Sequence, residues 1–205
     1  MSAQILIAFL AACLLLAVTP GPNMALILAN TLRHGRRAGL ATLAGTSSGL
    51  SLLAAGAVLG MSSLMVFLSE WFDAIRWAGA LYLIYLGTRQ LFSLRRGAGH
   101  GGATAFPAHG GWYVQGLLVS LSNPKVLLFL GAFLPQFLVA GADPVRQLAV
   151  LAMLFVGTLT LFDVLCTLAA ARAQAGLMAR RGLLDGVAGG LLLLGGMALA
   201  MVRRP

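Results

Sequence analysis

The chain has 205 residues, of which 60% are hydrophobic and only 9% charged, with a mean hydropathy of +0.93. A soluble domain carries about 25% charged residues, so this composition excludes an ordinary soluble fold and points to an integral membrane protein. The formal net charge of +9 does not imply nucleic acid, because the arginines stand at the ends of apolar stretches instead of along one face.

The first apolar stretch runs from about Ile5 to Leu32 and holds no charged residue, which is the pattern of a membrane span. It is longer than a signal-peptide core and has no basic segment before it. Thr19-Pro20-Gly21-Pro22-Asn23 lies in its middle. Neither proline has an N–H, so the carbonyls of Leu16 and Val18 lose their helical partners. Broken backbone at membrane depth is tolerated only against protein or a wet cavity. A packing kink is the alternative reading of this stretch.

Arg33, His34, Arg36 and Arg37 form a short basic loop before a second span, about Leu40–Leu68. Gly45, Gly49, Gly56 and Gly60 fall on one face of that span and predict close approach of a neighbouring helix. Glu70 and Asp73 mark an acidic turn, and a third span covers about Ala74–Ser93. Residues 95–111 are glycine-rich and read as a flexible linker. His100 and His109 in this linker have no acid or cysteine nearby, which argues against a metal site.

The fourth span, about Trp112–Ala140, is interrupted at Ser122-Asn123-Pro124-Lys125, where Pro124 frees the carbonyl of Ser120. The fifth covers about Gln147–Ala171 and contains Asp163; the sixth covers about Gly182–Val202. Interruptions at matching places in two halves point to a secondary transporter's binding site. Cys13 and Cys166 lie in different spans with no C-x-x-C, which argues against a thiol-redox carrier, and no nucleotide-binding loop is present.

Thr19–Asn23, the glycine-rich second span, Gly79-x-x-Tyr82-Leu-x-Tyr85-Leu86-Gly87, Asn123-Pro124-Lys125 and Phe133-Leu134-Pro135-Gln136-Phe137 resemble, in this order and spacing, the LysE/RhtB family of lysine, homoserine and threonine exporters. The resemblance covers nearly the whole chain. It implies export of amino acids across a bacterial inner membrane, driven by an ion gradient, with protons the expected coupling ion. No organic cofactor or metal is called for, and the chain is expected not to be an enzyme.

The expected fold is all-α, with six transmembrane helices in two inverted three-helix repeats, about 1–94 and 112–205, joined by the linker 95–111. Arginines 33, 36, 37, 89, 95, 96, 172, 180 and 181 lie in alternate loops, which places those loops in the cytoplasm; Arg203 and Arg204 oppose this at the C-terminus. Counting from these ends puts Asn23, Ser47, Tyr85, Asn123, Lys125 and Asp163 roughly 14–20 Å deep, near the middle of a ~30 Å core.

Candidate substrate contacts are therefore Pro20, Gly21, Pro22, Asn23, Ser47, Tyr85, Asn123, Pro124 and Lys125. The helix starts after the breaks and Lys125 suit a carboxylate. Asp163 and the freed carbonyls of Val18 and Ser120 suit an ammonium, and Asp163 is the expected proton-coupling group. Two readings compete for Lys125 and Asp163, a permanent ion pair and a functional pair; for Tyr82 and Tyr85, packing competes with substrate contact. An exporter of another small solute and a non-transporting membrane protein are the competing functions. The glycine faces of spans 2 and 6 permit a homodimer.

Overall fold

The computed structural model describes residues 1–60, 74, 77–78, 80–88, 91–92, 111–141, 143–177 and 181–201. The acidic turn at Glu70 and Asp73, the linker histidines and the linker itself up to residue 110 lie outside the described residues. Every regular element among the described residues is helical.

Helix α1 spans Ala3–Val18 and α2 spans Pro22–His34, bent 50° from each other at the three residues between them. Helix α3 follows at Arg36–Leu59. The basic loop expected over Arg33–Arg37 is therefore a single residue. Gly35 has φ 87°, a left-handed conformation that lets the chain reverse in one step while its N–H bonds the Thr31 carbonyl. Helix α3 stops at Leu59, short of the Leu68 boundary, because Gly60 leaves the helical conformation there. Residues 80–88 form α4, the described part of the third expected span.

Helix α5 covers Gly111–Leu121 and α6 covers Pro124–Leu128. The chain continues as a π turn, Phe129–Phe133, and a 3-10 turn, Leu134–Phe137, in which Pro135 cannot donate to a regular helix. The two parts of this span bend by 44° at Asn123. Helix α7 is longer than expected, Pro144–Leu177, and α8 is Arg181–Met201. Helix α3 and α7, over Pro144–Gln174, are each long and apolar enough to span a membrane. Each bent pair can form one further span, and α8 adds the shorter apolar stretch Asp185–Met197.

Two buried clusters flank the breaks. One gathers Phe9 and Cys13 of α1, Leu50 of α3, Leu130 of the π turn and Leu151 and Phe155 of α7. The other gathers Leu26 of α2, Leu83 of α4, Val119 of α5 and Leu192 of α8. Each half of a broken span thus packs in a different cluster, and the breaks lie where the clusters meet.

Glycines set the closest approach, between α3 and α5. A methyl group on Gly45 would stand 1.9 Å from the Tyr113 carbonyl oxygen, and one on Gly116 would stand 2.2 Å from the Thr42 carbonyl oxygen. Gly49 meets Ser120 in the same way. The continuous four-glycine face expected on span 2 is shorter than that, since nothing lies within 4 Å of a methyl placed on Gly56. On α8, Gly182 and Gly190 are likewise open, while Gly195 and Gly196 meet Ala25 and Ile84.

Candidate functional site

The site is built at the two breaks. Helix α1 ends because Pro20 and Pro22 supply no donors, and Thr19 closes its last turn by giving its N–H and hydroxyl to the Leu15 carbonyl at 3.1 and 2.7 Å. Pro22 then opens α2 at its first position, where a missing N–H costs nothing. Helix α6 begins the same way with Pro124. Asn123 caps it, its Oδ1 accepting from the Lys125 N–H at 3.1 Å.

The breaks bond each other through their asparagines. Asn123 Nδ2 donates to Asn23 Oδ1 at 3.0 Å, and Asn23 Nδ2 donates to Ser120 Oγ at 3.2 Å. Asn123 and Ser120 are buried and Asn23 partly so. The Ser120 carbonyl, expected to wait for an ammonium, accepts the Asn123 N–H at 3.1 Å because the chain turns back on itself there.

Lys125 reaches across to the other broken span. Its Nζ donates to the carbonyls of Leu16 and Thr19, the exposed C-terminal end of α1, where the helix dipole favours a cation. Gly21 leaves room for this crossing, since a methyl there would stand 3.3 Å from Lys125 Cδ. Among the described residues no ion pair joins Lys125 to Asp163, although each lies within range of the other's charge. The permanent ion pair is therefore absent. No hydrogen bond or ion pair among the described residues reaches the partly buried Asp163 carboxylate.

The other expected residues divide. Ser47 Oγ accepts from Thr160 Oγ1 at 3.1 Å, three residues from Asp163 on α7, so it belongs to the Asp163 side and not to the asparagine junction. Tyr85 is 53% exposed on α4, outside the asparagine junction.

A second buried polar group was missed. Asn30 Nδ2 donates to Thr42 Oγ1 at 2.9 Å and to Gln115 Oε1 at 3.0 Å, with Tyr82 in hydrogen-bonding reach of Gln115. Asn30 lies two helical turns from Asn23, which was the available signal. At the end of this column Arg33 Nε and Asp185 Oδ1 stand 3.6 Å apart, and the His34 and Trp112 rings are 5.7 Å apart.

A family model described as LysE type translocator matches residues 14–203. The chain belongs to the LysE family of translocators. It is 30% identical over 168 residues to the uncharacterized membrane protein YrhP of Bacillus subtilis strain 168, covering 78% of each chain. It is 29% identical over 130 residues to the leucine efflux protein of Salmonella typhimurium strain LT2, covering 63% of this chain and 61% of that one. No solved structure matches the chain. LysE-family proteins are transporters, so this chain is a membrane transport protein and not an enzyme.

Proposed function

We propose that this LysE-family protein exports amino acids, or closely related zwitterions, across the inner membrane by exchange with protons. The observation that carries the reading is the junction of two broken spans. Asn23 and Asn123 bond each other there, Lys125 crosses between the halves, and Asp163 has no bonding partner among the described residues. Irregular backbone and unmatched charge at membrane depth are costly, and transporters keep them where a substrate or ion binds.

In this reading the substrate carboxylate binds at Lys125 and the start of α2, around Pro20, Gly21, Pro22, Asn23, Asn123 and Pro124. The ammonium turns toward Asp163 and Ser47. A carboxylate among apolar side chains needs a cation or a proton, so substrate and proton compete for Asp163. That competition exchanges one for the other. The carboxylate also competes with the Leu16 and Thr19 carbonyls for the Lys125 ammonium, so its arrival loosens α1 from α6.

The remaining architecture belongs to the same proposal: six spans in two inverted halves, 1–94 and 112–205, around the linker 95–111, with the arginine-rich loops in the cytoplasm. A homodimer would use surfaces other than Gly45 and Gly49, which are occupied within the chain. The test is efflux from proteoliposomes holding the purified chain. Uphill amino-acid movement under an imposed pH gradient, abolished by a protonophore, is expected. Movement that ignores the gradient would remove proton coupling, and the absence of movement for any amino acid would remove the function.

A further inference from the structure

Helix α3 starts without a cap. Its N-cap is Gly35, whose φ of 87° suits glycine and excludes the usual capping side chains. The first bond of the helix runs from the Gly39 N–H to the Gly35 carbonyl at 3.2 Å. The N–H groups of Arg36 and Arg37 precede it, and no side chain caps them. This turn carries two arginines and no acid, the reverse of what a helix N-terminus favours. The charge bias of membrane loops accounts for arginines at a span end, but not for an open helix start beneath them.

Gln174 of α7 points to what completes it. The residue is only 9% exposed, and no hydrogen bond among the described residues reaches its amide. Both amide atoms face the helix start, since a methyl on Gly35 would stand 3.7 Å from Nε2 and 3.7 Å from Oε1. A buried amide left unbonded is costly, so it calls for a partner that the chain does not supply. Below it the packing is closed: a methyl on Gly39 would meet Thr31 Oγ1 at 2.0 Å and Thr167 Cγ2 at 3.0 Å.

The partner this place selects is an anion. Of the chain's five acids, Asp185 is engaged by Arg33 at 3.6 Å. Asp163 lies about three turns back along α7, and Asp143 precedes the opposite end of that helix. Glu70 and Asp73, outside the described residues, follow the far end of α3, a helix about 36 Å long. An amide, two backbone N–H groups at a positive dipole end and two arginines are a donor set for phosphate. Depth then decides its source. Helix α2 has 13 residues, so Gly35 stands about 20 Å along the axis from the break at Pro22. With the break near the middle of the bilayer, that is beyond the ~15 Å half-thickness of the hydrocarbon, at headgroup level. Basic pockets between helix ends at that level take anionic headgroups.

We infer that the start of α3, with Gln174, Arg36 and Arg37, binds the phosphate of an anionic phospholipid and so ties the α2–α3 turn to the end of α7. The site is separate from the breaks and does not depend on which solute is exported.

The experiment follows thermal unfolding of the full chain in phosphatidylcholine vesicles with and without phosphatidylglycerol. Phosphatidylglycerol should raise Tm by about 5 °C or more once it stands at about 100 times Kd. Gln174→Leu keeps the size and the net charge. It should leave Tm in pure phosphatidylcholine unchanged or higher, because it removes an unbonded amide, and should raise the phosphatidylglycerol needed for half the effect about 10-fold. Arg37→Gln, at an exposed position, should raise that amount as well without lowering Tm in pure phosphatidylcholine. An undiminished response in Gln174→Leu reduces the lipid effect to surface charge and overturns the inference. A lower Tm of Gln174→Leu in pure phosphatidylcholine gives the amide a partner inside the protein and also overturns it. Stabilisation by inorganic phosphate with none from phosphatidylglycerol overturns the lipid assignment, and no effect of either removes the site.

Discussion

Replacing Asn123 with alanine tests the junction between the breaks. Asn123 caps α6 through the Lys125 N–H and donates to Asn23 on the other broken span. Losing the cap costs about 1 kcal/mol. Losing the second bond costs about 1 kcal/mol, and more if Asn23 Oδ1 stays dry. Asn123→Ala should therefore destabilise the protein by about 2–3 kcal/mol, measured by chemical unfolding in mixed micelles. Asn23→Ala should cost less, because Asn23 is only partly buried. The decisive quantity is their coupling in a double-mutant cycle. Side-chain bonds between membrane helices couple by about 0.6 kcal/mol on average and up to about 1.7. The short geometry at 3.0 Å and the burial of Asn123 place this pair toward the upper part of that range. Coupling below about 0.3 kcal/mol, the scatter of independent sites, would refute the claim that the breaks are tied together.

Two further predictions follow from the packing and from the crossing lysine. Gly45→Ala should destabilise by about 1–3 kcal/mol by forcing α3 from α5, while Gly56→Ala in the same helix should be neutral or stabilising by up to about 1 kcal/mol; equal effects in the unfolding assay would contradict the glycine contact. Lys125→Ala should lower stability by about 1–3 kcal/mol through the stranded α1 carbonyls and raise the substrate concentration for half-maximal efflux about 10-fold or more. A folded Lys125→Ala protein with unaltered efflux would remove Lys125 from the site.

Local chemistry made much of this legible in the sequence. Prolines cannot donate, so both interruptions could be placed to the residue, and arginines flank the sixth span, so both ends of α8 fell within a residue of their expected places. What depends on which helix meets which was not legible. Proline arithmetic freed the Leu16 carbonyl, but only the fold shows that Lys125, more than a hundred residues away, supplies its donor. Helical periodicity put Gly45 and Gly56 on one face, but not the point at which α5 leaves that face. The same limit applies to Ser47, which turned out to meet Thr160, and to Tyr85, which is exposed. Asn30 and Gln115 were passed over because single amides in apolar spans look like interhelical glue until their partners are known.

The proposed competition of proton and substrate for Asp163 is tested by a single measurement. Purified Asp163→Asn protein is reconstituted, its thermal stability is compared with the original, and uphill amino-acid efflux is followed under an imposed pH gradient. Asparagine matches the shape and cannot exchange a proton. A folded protein of near-original stability that has lost gradient-driven export is expected. Export at the original rate with the original pH dependence would contradict it.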